Sequence, residues 1–353
     1  MKIKLFEMFS GYGGASFGLK KARIDYECIG YSEIEPNTIK CYEQNHEGIP
    51  LLGSVVDINP IELEDFDLLT GGFPCQDVSI AGNRDLNKGR TTLFNEIIRI
   101  AEVKKPRWML LENVEGLLSA KAFWQHVKSE LSRIGYSIRY KLLYSKDYGI
   151  PQNRPRLWIL CDREGFEPFI DVFPKKQELK FKLKDLLEEN VDESYYLTPK
   201  NYESMIKSLK NRSKGMNSNL DRDVALTLTC GEPKRHLHDS NIVIHSKKPR
   251  TSTTEKGDSR HSDGITYTTN SQYLEFEDNK FRVLTEKECF RLMGFLHDEI
   301  NLEGISKSKK YHLAGNGWDI NLVSKIFETW IKPQIMYGKK EEFERSIKKR
   351  FKY

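Results

Sequence analysis

Ile3-Lys4-Leu5-Phe6-Glu7-Met8-Phe9-Ser10-Gly11-Tyr12-Gly13-Gly14 decides the fold: a strand-like apolar run breaks into a glycine-rich turn that leads into a helical pattern. Glycines at such a turn let backbone approach a ligand at the N-terminus of the next helix. Outward from it, the alternation continues to about residue 162. Residues 3–9, 26–31, 67–70, 108–111, 138–144 and 157–161 read as strands. Between them Leu93, Phe94, Ile97, Ile98 and Ala101, then Phe123, Trp124, Val127, Leu131 and Ile134, recur at helical spacing. This predicts βαβ units in an α/β fold with a mostly parallel sheet covered on both faces.

Past about residue 170 the pattern breaks into short polar segments rich in Lys, Ser, Thr and Asn, which reads as a second, loop-rich region suited to meeting a partner. From Arg282 regular structure returns, and Ile320, Leu322, Val323, Ile326, Phe327 and Trp330 predict an amphipathic helix. We expect a catalytic and cofactor domain of residues 1–172 and 310–335, a recognition domain and hinge at 173–295, and a basic C-terminal tail at 336–353.

The bulk numbers narrow the class. The chain has 353 residues, 38% apolar and 30% charged, and no stretch approaches the roughly 18 to 20 apolar residues that span a bilayer, so no membrane partner is expected. Glu7 interrupts any signal-peptide-like apolar run near the N-terminus, which predicts a cytoplasmic protein. Six cysteines, at 28, 41, 75, 161, 230 and 289, form no CxxC pair, which predicts neither a metal site nor a disulfide framework. Net charge is +5, but residues 200–260 carry 13 Lys and Arg against 7 Asp and Glu, so a polyanion fits this region.

Two features carry chemistry. After the second strand Glu33 and Glu35 offer a carboxylate that can accept both hydroxyls of a ribose, and Asp57-Ile58 offers an acid and an apolar side chain to an adenine edge. A nicotinamide oxidoreductase would use the same logic, but the turn lacks the third glycine of Gly-x-Gly-x-x-Gly at its usual offset, which favours a methyl donor. The strand at 67–70 ends in Gly71-Gly72-Phe73-Pro74-Cys75-Gln76, which presents Cys75 at the carboxyl edge of the sheet. The other five cysteines read as small buried hydrophobes.

Together with Thr92-Leu93-Phe94, Glu112-Asn113-Val114, Gln152-Asn153-Arg154-Pro155-Arg156, Arg282-Val283-Leu284-Thr285 continuing to Arg291-Leu292-Met293-Gly294-Phe295, and Gly315-Asn316, these blocks resemble the bacterial DNA (cytosine-5-)-methyltransferases of type II restriction-modification systems, in order and over nearly the whole chain outside 170–280. The resemblance implies a Rossmann-like sheet with a smaller, loop-rich target-recognition domain inserted before the C-terminal segment. It implies S-adenosyl-L-methionine as cofactor, held by Phe9, Gly11, Tyr12, Gly13, Gly14, Glu33, Ile34, Asp57, Ile58, Pro74, Leu93 and Asn316. Double-stranded DNA is the implied partner of a monomer, with a restriction endonuclease acting on the same site as a companion.

The chemistry explains the residue types. C5 of cytosine is too poor a nucleophile to take a methyl group directly, so a thiolate, Cys75, adds first to C6. Glu112 can hydrogen-bond the N3 edge and donate a proton if burial raises its pKa. Arg154 and Arg156 alternate ahead of an apolar strand, so both can face the cytosine O2, a phosphate or Glu112, and by resemblance they hold the base and the thiolate loop. The target base must be flipped out of the duplex. Gln76, Ser79, Arg84 and Lys88 are candidates to contact the substrate from the loop at 76–90, as is Thr227 in the recognition region.

Two departures stand out. The family's Gly-Asn-Ser-Val reads here Gly315-Asn316-Gly317-Trp318, which puts the last two positions in doubt as cofactor contacts. The family's Thr-Leu mark is either Thr227-Leu228 or a variant near Thr268-Thr269. A tRNA cytosine-5 methyltransferase is the alternative, sharing the blocks but typically with a shorter, different insert, whereas a silent DNA-binding relative would be expected to lose Cys75 or Glu112.

Overall fold

The run Trp108-Met109-Leu110-Leu111 is apolar at every position because both of its faces are buried: Met109 and Leu111 enter one hydrophobic cluster, Trp108 and Leu110 another, all at 1% exposure or less. That strand is the centre of the computed structural model, which describes residues 2–74, 91–167, 171–210, 222–231, 241–246 and 279–336. The strands are β1 (Ile3–Met8), β2 (Tyr26–Ser32), β3 (Leu68–Gly72), β4 (Trp108–Val114), β5 (Ser137–Tyr144), β6 (Gln152–Asn153), β7 (Pro155–Asp162), β8 (Ala225–Leu226), β9 (Ile242–Ser246) and β10 (Asn279–Val283). Six form one sheet in the order β2-β1-β3-β4-β7-β5, in which β1 to β4 pair in parallel and β7 runs antiparallel to both of its neighbours. The expected α/β fold and the six expected sheet strands are all present.

The helices are α1 (Gly14–Lys21), α2 (Pro36–Asn45), α3 (Thr91–Lys104), α4 (Gly116–Ser119), α5 (Lys121–Arg133), α6 (Pro199–Lys210), α7 (Glu286–Arg291), α8 (Lys307–Asn316), α9 (Ile320–Thr329) and α10 (Ile331–Met336). Phe94, Ile97 and Ala101 of α3 and Phe123, Val127 and Leu131 of α5 cover one face of the sheet. Ala15 and Leu19 of α1, with Leu322, Val323, Ile326 and Phe327 of α9, cover the other. Each such side chain contributes on the order of 1.5 to 3 kcal/mol of transfer free energy. Helix α9 is the amphipathic helix expected from the sequence; Asp319 caps it by accepting from the Asn321 and Leu322 N–H groups. It lies close against α1 because Gly18 leaves room: a Cβ there would stand 2.5 Å from Val323 Cγ1.

A third cluster joins Tyr12, Cys41 and Ile150 to Leu183, Leu228, Leu284, Phe290, Phe295 and Tyr311. Within it Arg282 and Glu288, both fully buried, form a bidentate pair at 2.8 and 2.6 Å, and Thr285 with Glu288 makes a capping box at the start of α7. Two small sheets, β6 with β8 in parallel and β9 with β10 antiparallel, complete the described strands. Among the described residues no helix is long and apolar enough to cross a membrane.

Cysteines 28, 41, 161 and 289 are buried. Cys230 corrects the expectation that all five non-nucleophilic thiols pack inside: it is exposed, on a stretch whose backbone at Thr229 and Cys230 presses against Gly315. A Cβ on Gly315 would fall 2.2 Å from the Thr229 carbonyl carbon, so glycine there is what admits the contact.

Candidate active site

The carboxyl ends of β1, β3 and β4 lie side by side, so the turn after β1, the Gly71-Gly72 end of β3 and Glu112 of β4 meet at one edge of the sheet; Gly72 and Glu112 are paired in register. A cleft at this edge is lined by Phe9, Ser10, Gly11, Tyr12, Gly14, Thr70, Gly72, Glu112, Asn316, Gly317 and Trp318. Its turn is strained at Phe9, a bulky residue with φ 52°, whereas Gly13, the N-cap of α1, takes φ 84° at no cost because it lacks a Cβ.

Glu33 ties the turn to β2. Its carboxylate accepts from the Gly11 N–H at 3.2 Å and from the Ile34 and Glu35 N–H groups at 2.8 and 3.1 Å. Glu35, the other acid weighed for a ribose, is committed elsewhere: it caps α2 through the Thr38 N–H and accepts from Lys309 Nζ at 2.8 Å. Ile34 is 72% exposed, so beside Glu33 an apolar side chain waits on the open edge. Asp57 ends a 3-10 turn (Val55–Asp57) whose carbonyls at Val55 and Ile58 are clamped by Arg99 of α3. Ile58 differs from expectation, because its side chain enters the core beneath the turn; Val56, about half exposed, is the apolar side chain that this turn presents. Leu93 packs on the same core, and Asn113 donates to the Phe73 carbonyl at 2.9 Å, fixing the chain just ahead of Pro74. Cys75, Gln76, Ser79, Arg84 and Lys88 lie outside the described residues.

A nucleoside-bearing group with a carboxylate tail fits these residues on one further observation. Ser10 Oγ, in the lining of the cleft, is buried with no hydrogen-bond partner among the described residues, as expected of a donor kept for a ligand. The enclosed part of the cleft is small, about 50 Å³, so a larger group must extend onto the open edge at Glu33 and Ile34.

Glu112 sits on the cleft floor. Arg156 Nε meets its Oε1 at 2.8 Å, with the two side chains only 15% and 12% exposed. Burial pushes the Glu112 carboxyl above its ordinary range, against the opposing pull of Arg156, Arg154 and a hydrogen bond from Trp318. A carboxyl so placed can keep or give a proton.

Arg154 corrects the expectation that both arginines face the substrate. Its side chain is buried, with Nη1 donating to the Leu228 carbonyl at 2.9 Å and Nη2 to the Gly315 and Gly317 carbonyls at 2.9 and 2.8 Å. The guanidinium is spent on backbone. Arg154 lies between β6 and β7, outside any strand, so the alternation that would align it with Arg156 does not hold there. Thr227 is likewise engaged within the chain, donating to the Asn153 carbonyl at 2.6 Å. Gln152 joins three blocks by accepting from the Leu228 N–H and donating to the Leu292 carbonyl. Asn316 lines the cleft from the end of α8, its amide beside His312.

Trp318, which the sequence put in doubt as a cofactor contact, lines the cleft, and its place beside Glu112 is what the sequence did not show. Its indole nitrogen and Glu112 Oε2 stand 3.0 and 3.2 Å from where a Cβ on Gly72 would be, and Tyr12 of the glycine-rich turn donates its hydroxyl to the Trp318 carbonyl. Only its departure from the family pattern at this position could have drawn attention to it.

The chain is similar to known methyltransferases over nearly its whole length. The family model described as C-5 cytosine-specific DNA methylase matches residues 3–332. The orphan methyltransferase M.SPRI of Bacillus phage SPR is 28% identical over 94% of this chain and 98% of its own. The type II methyltransferase M2.ScrFI of Lactococcus lactis subsp. cremoris is 27% identical over 94% and 100%. Among solved structures, S. pombe Dnmt2 methyltransferase superposes with a TM-score of 0.70 at 21% identity, covering 94% of this chain and 99% of that one. The Entamoeba histolytica methyltransferase EhMeth gives 0.71 at 19%, covering 93% and 98%. The chain belongs to the family of C-5 cytosine-specific DNA methylases.

Proposed function

We propose that this methyltransferase modifies C5 of a cytosine in double-stranded DNA, with S-adenosylmethionine as donor and Cys75 as nucleophile. The observation that carries the reading is Glu112: a carboxyl of raised pKa, held by Arg156 on the floor of a cleft walled by a glycine-rich turn, next to the strand whose chain continues through Pro74 to Cys75. S-adenosylmethionine supplies an electrophilic methyl group on a sulfonium. Glu33 would take its ribose hydroxyls, Ile34, Val56 and Asp57 would hold its base, and Ser10 and Asn316 would meet its methionine end.

Cys75 adds as a thiolate to C6 of the flipped base, which moves electron density to C5 and builds negative charge at N3. Glu112 hydrogen-bonds this edge and places a proton at N3, and Arg156 keeps the carboxyl in place. After methylation the C5 proton leaves to water, the sulfur is eliminated as the thiolate, and N3 returns its proton to Glu112, which restores the aromatic base and the starting charge states. Region 173–295 reads the target, with its basic stretch against the phosphates. A restriction nuclease cutting the same sequence is the natural companion of such an activity.

The test is transfer of labelled methyl groups from S-adenosylmethionine to duplex DNA or to tRNA, with the modified position mapped by bisulfite sequencing. Label in DNA cytosine supports the reading; label only in tRNA, or in adenine, overturns it. DNA containing 5-fluorocytosine traps the adduct because fluorine cannot leave as a proton does, and Cys75→Ala must abolish the trap while keeping cofactor affinity.

A further inference from the structure

The geometry points to Trp318 as a positioning residue for Glu112: its indole N–H donates to the carboxylate from the side opposite Arg156 and fixes the orientation in which Glu112 meets the base. This rests on the role proposed above for Glu112. Three observations place the donor. The indole nitrogen and Glu112 Oε2 flank the same empty Cβ position of Gly72, at 3.0 and 3.2 Å, so the ring N–H and the carboxylate oxygen share one small space. The ring cannot drift, since it packs edge-on against Trp158 with centroids 5.0 Å apart and its Cβ lies 2.9 Å from where a Cβ on Gly14 would stand. Its backbone is pinned on both sides, by Tyr12 at the Trp318 carbonyl and by Arg154 at the Gly317 carbonyl.

Among the described residues the surroundings leave the task to this ring. Arg156 approaches Glu112 along β7 through Oε1, Arg154 lies behind with its donors on backbone carbonyls, and Tyr12 faces the carboxyl with its hydroxyl already given to Trp318. Trp158, the neighbouring indole, has no hydrogen-bond partner for its Nε1 among the described residues, so it does not compete for the carboxylate. A valine, the family's usual residue here, could fill space but could not donate. The same ring borders Gly14 of the cofactor turn, so one side chain links the cofactor cleft to the group that meets the base.

The test is the titration of Glu112 in the free protein, followed by carbon NMR of chains labelled at the glutamate carboxyl, with Glu112→Gln identifying its resonance. Trp318→Phe keeps the ring and removes the donor, so the midpoint should move upward, and Trp318→His, which keeps a ring N–H, should bring it part of the way back. Single-turnover methyl transfer, measured at saturating cofactor and DNA, should fall about tenfold in Trp318→Phe. If Trp318→Phe does not fold, the indole proton of the unsubstituted protein serves instead: its resonance should shift as Glu112 titrates and stop doing so in Glu112→Gln. An unmoved Glu112 midpoint, an indole resonance indifferent to Glu112, or a loss of rate fully explained by weaker cofactor binding would each overturn the assignment. The titration uses neither DNA nor cofactor, so it reads the Trp318 contact even if the DNA reading fails.

Discussion

Replacing Arg154 should unfold more than it inactivates. Its guanidinium makes three hydrogen bonds, all to backbone carbonyls, from a side chain 2% exposed. A hydrogen bond from a charged donor contributes about 1.5 to 3 kcal/mol, and a buried carbonyl left unpaired costs about 1 to 3 kcal/mol. Three such bonds would sum to about 4.5 to 9 kcal/mol, but relief of the desolvation of a buried cation offsets part, and burial with the Arg156 charge already pulls the Arg154 pKa down. We therefore expect about 3 to 5 kcal/mol for Arg154→Met, a large share of the roughly 5 to 15 kcal/mol that holds a domain together. At about 2 °C per kcal/mol for a chain of this size, the melting temperature should fall by about 6 to 10 °C. Arg154→Lys keeps the charge yet lacks the planar fork that reaches three carbonyls, so it should lose at least half as much. The assay is thermal unfolding by circular dichroism, with DNA and cofactor affinity measured well below the transition. A variant that melts like the parent but no longer binds DNA would return Arg154 to the base-contacting role and refute the reasoning.

Gly317→Ser, which restores the family's residue, should cost about 1 to 3 kcal/mol of stability, because its Cβ would sit 1.9 Å from Tyr12 Cε1; Tyr12→Ala in the same chain should recover part of the loss, and a neutral single substitution would contradict the packing. Glu35 is held at about 2, although burial alone would raise it, by hydrogen bonds from Lys309, Asn37 and Thr38. A carboxyl with a depressed native pKa stabilises the fold above its unfolded value and loses that contribution as pH falls through the native one. Since its side chain is 27% exposed, Glu35→Gln should remove only about 1 kcal/mol and flatten the acid limb between about pH 5 and pH 2 in urea titrations; an unchanged limb would count against it. Arg156→Met removes the largest pull on Glu112 toward ionisation, so the pH midpoint of single-turnover transfer should rise and the rate fall on the order of 100-fold, whereas a slower enzyme with the same pH profile would mean that Arg156 acts elsewhere.

The sheet was legible because its rules are local. The short apolar run at residues 108–111 reads as a strand buried on both faces, and 3.6-residue spacing in α3, α5 and α9 names the faces that cover the sheet. The layout of the site was legible where a residue's position follows from a strand end, as for Glu33 and Glu112. It was not legible where the role depends on which distant backbone a side chain meets. Arg154 and Arg156 are two residues apart, yet one is spent on carbonyls at 228, 315 and 317 and the other pairs with Glu112. Gln152 and Arg282, quoted among the family blocks, are buried struts of the same kind.

That difference explains the departure at Gly317-Trp318. The Tyr12 ring fills the space a side chain at 317 would need, and its hydroxyl holds the Trp318 carbonyl. The Trp318 side chain needs bare positions on two sides, at Gly14, where a Cβ would come within 2.9 Å of it, and at Gly72, where it would come within 3.0 Å. Tyr12, Gly317 and Trp318 thus form one interlocked set, in which a serine at 317 collides with Tyr12 and a valine at 318 leaves the Glu112 carboxylate without its second donor. Gly317→Ser alone should therefore lower the melting temperature more than Gly317→Ser combined with Trp318→Val and Tyr12→Ala, because the pieces fit as a unit.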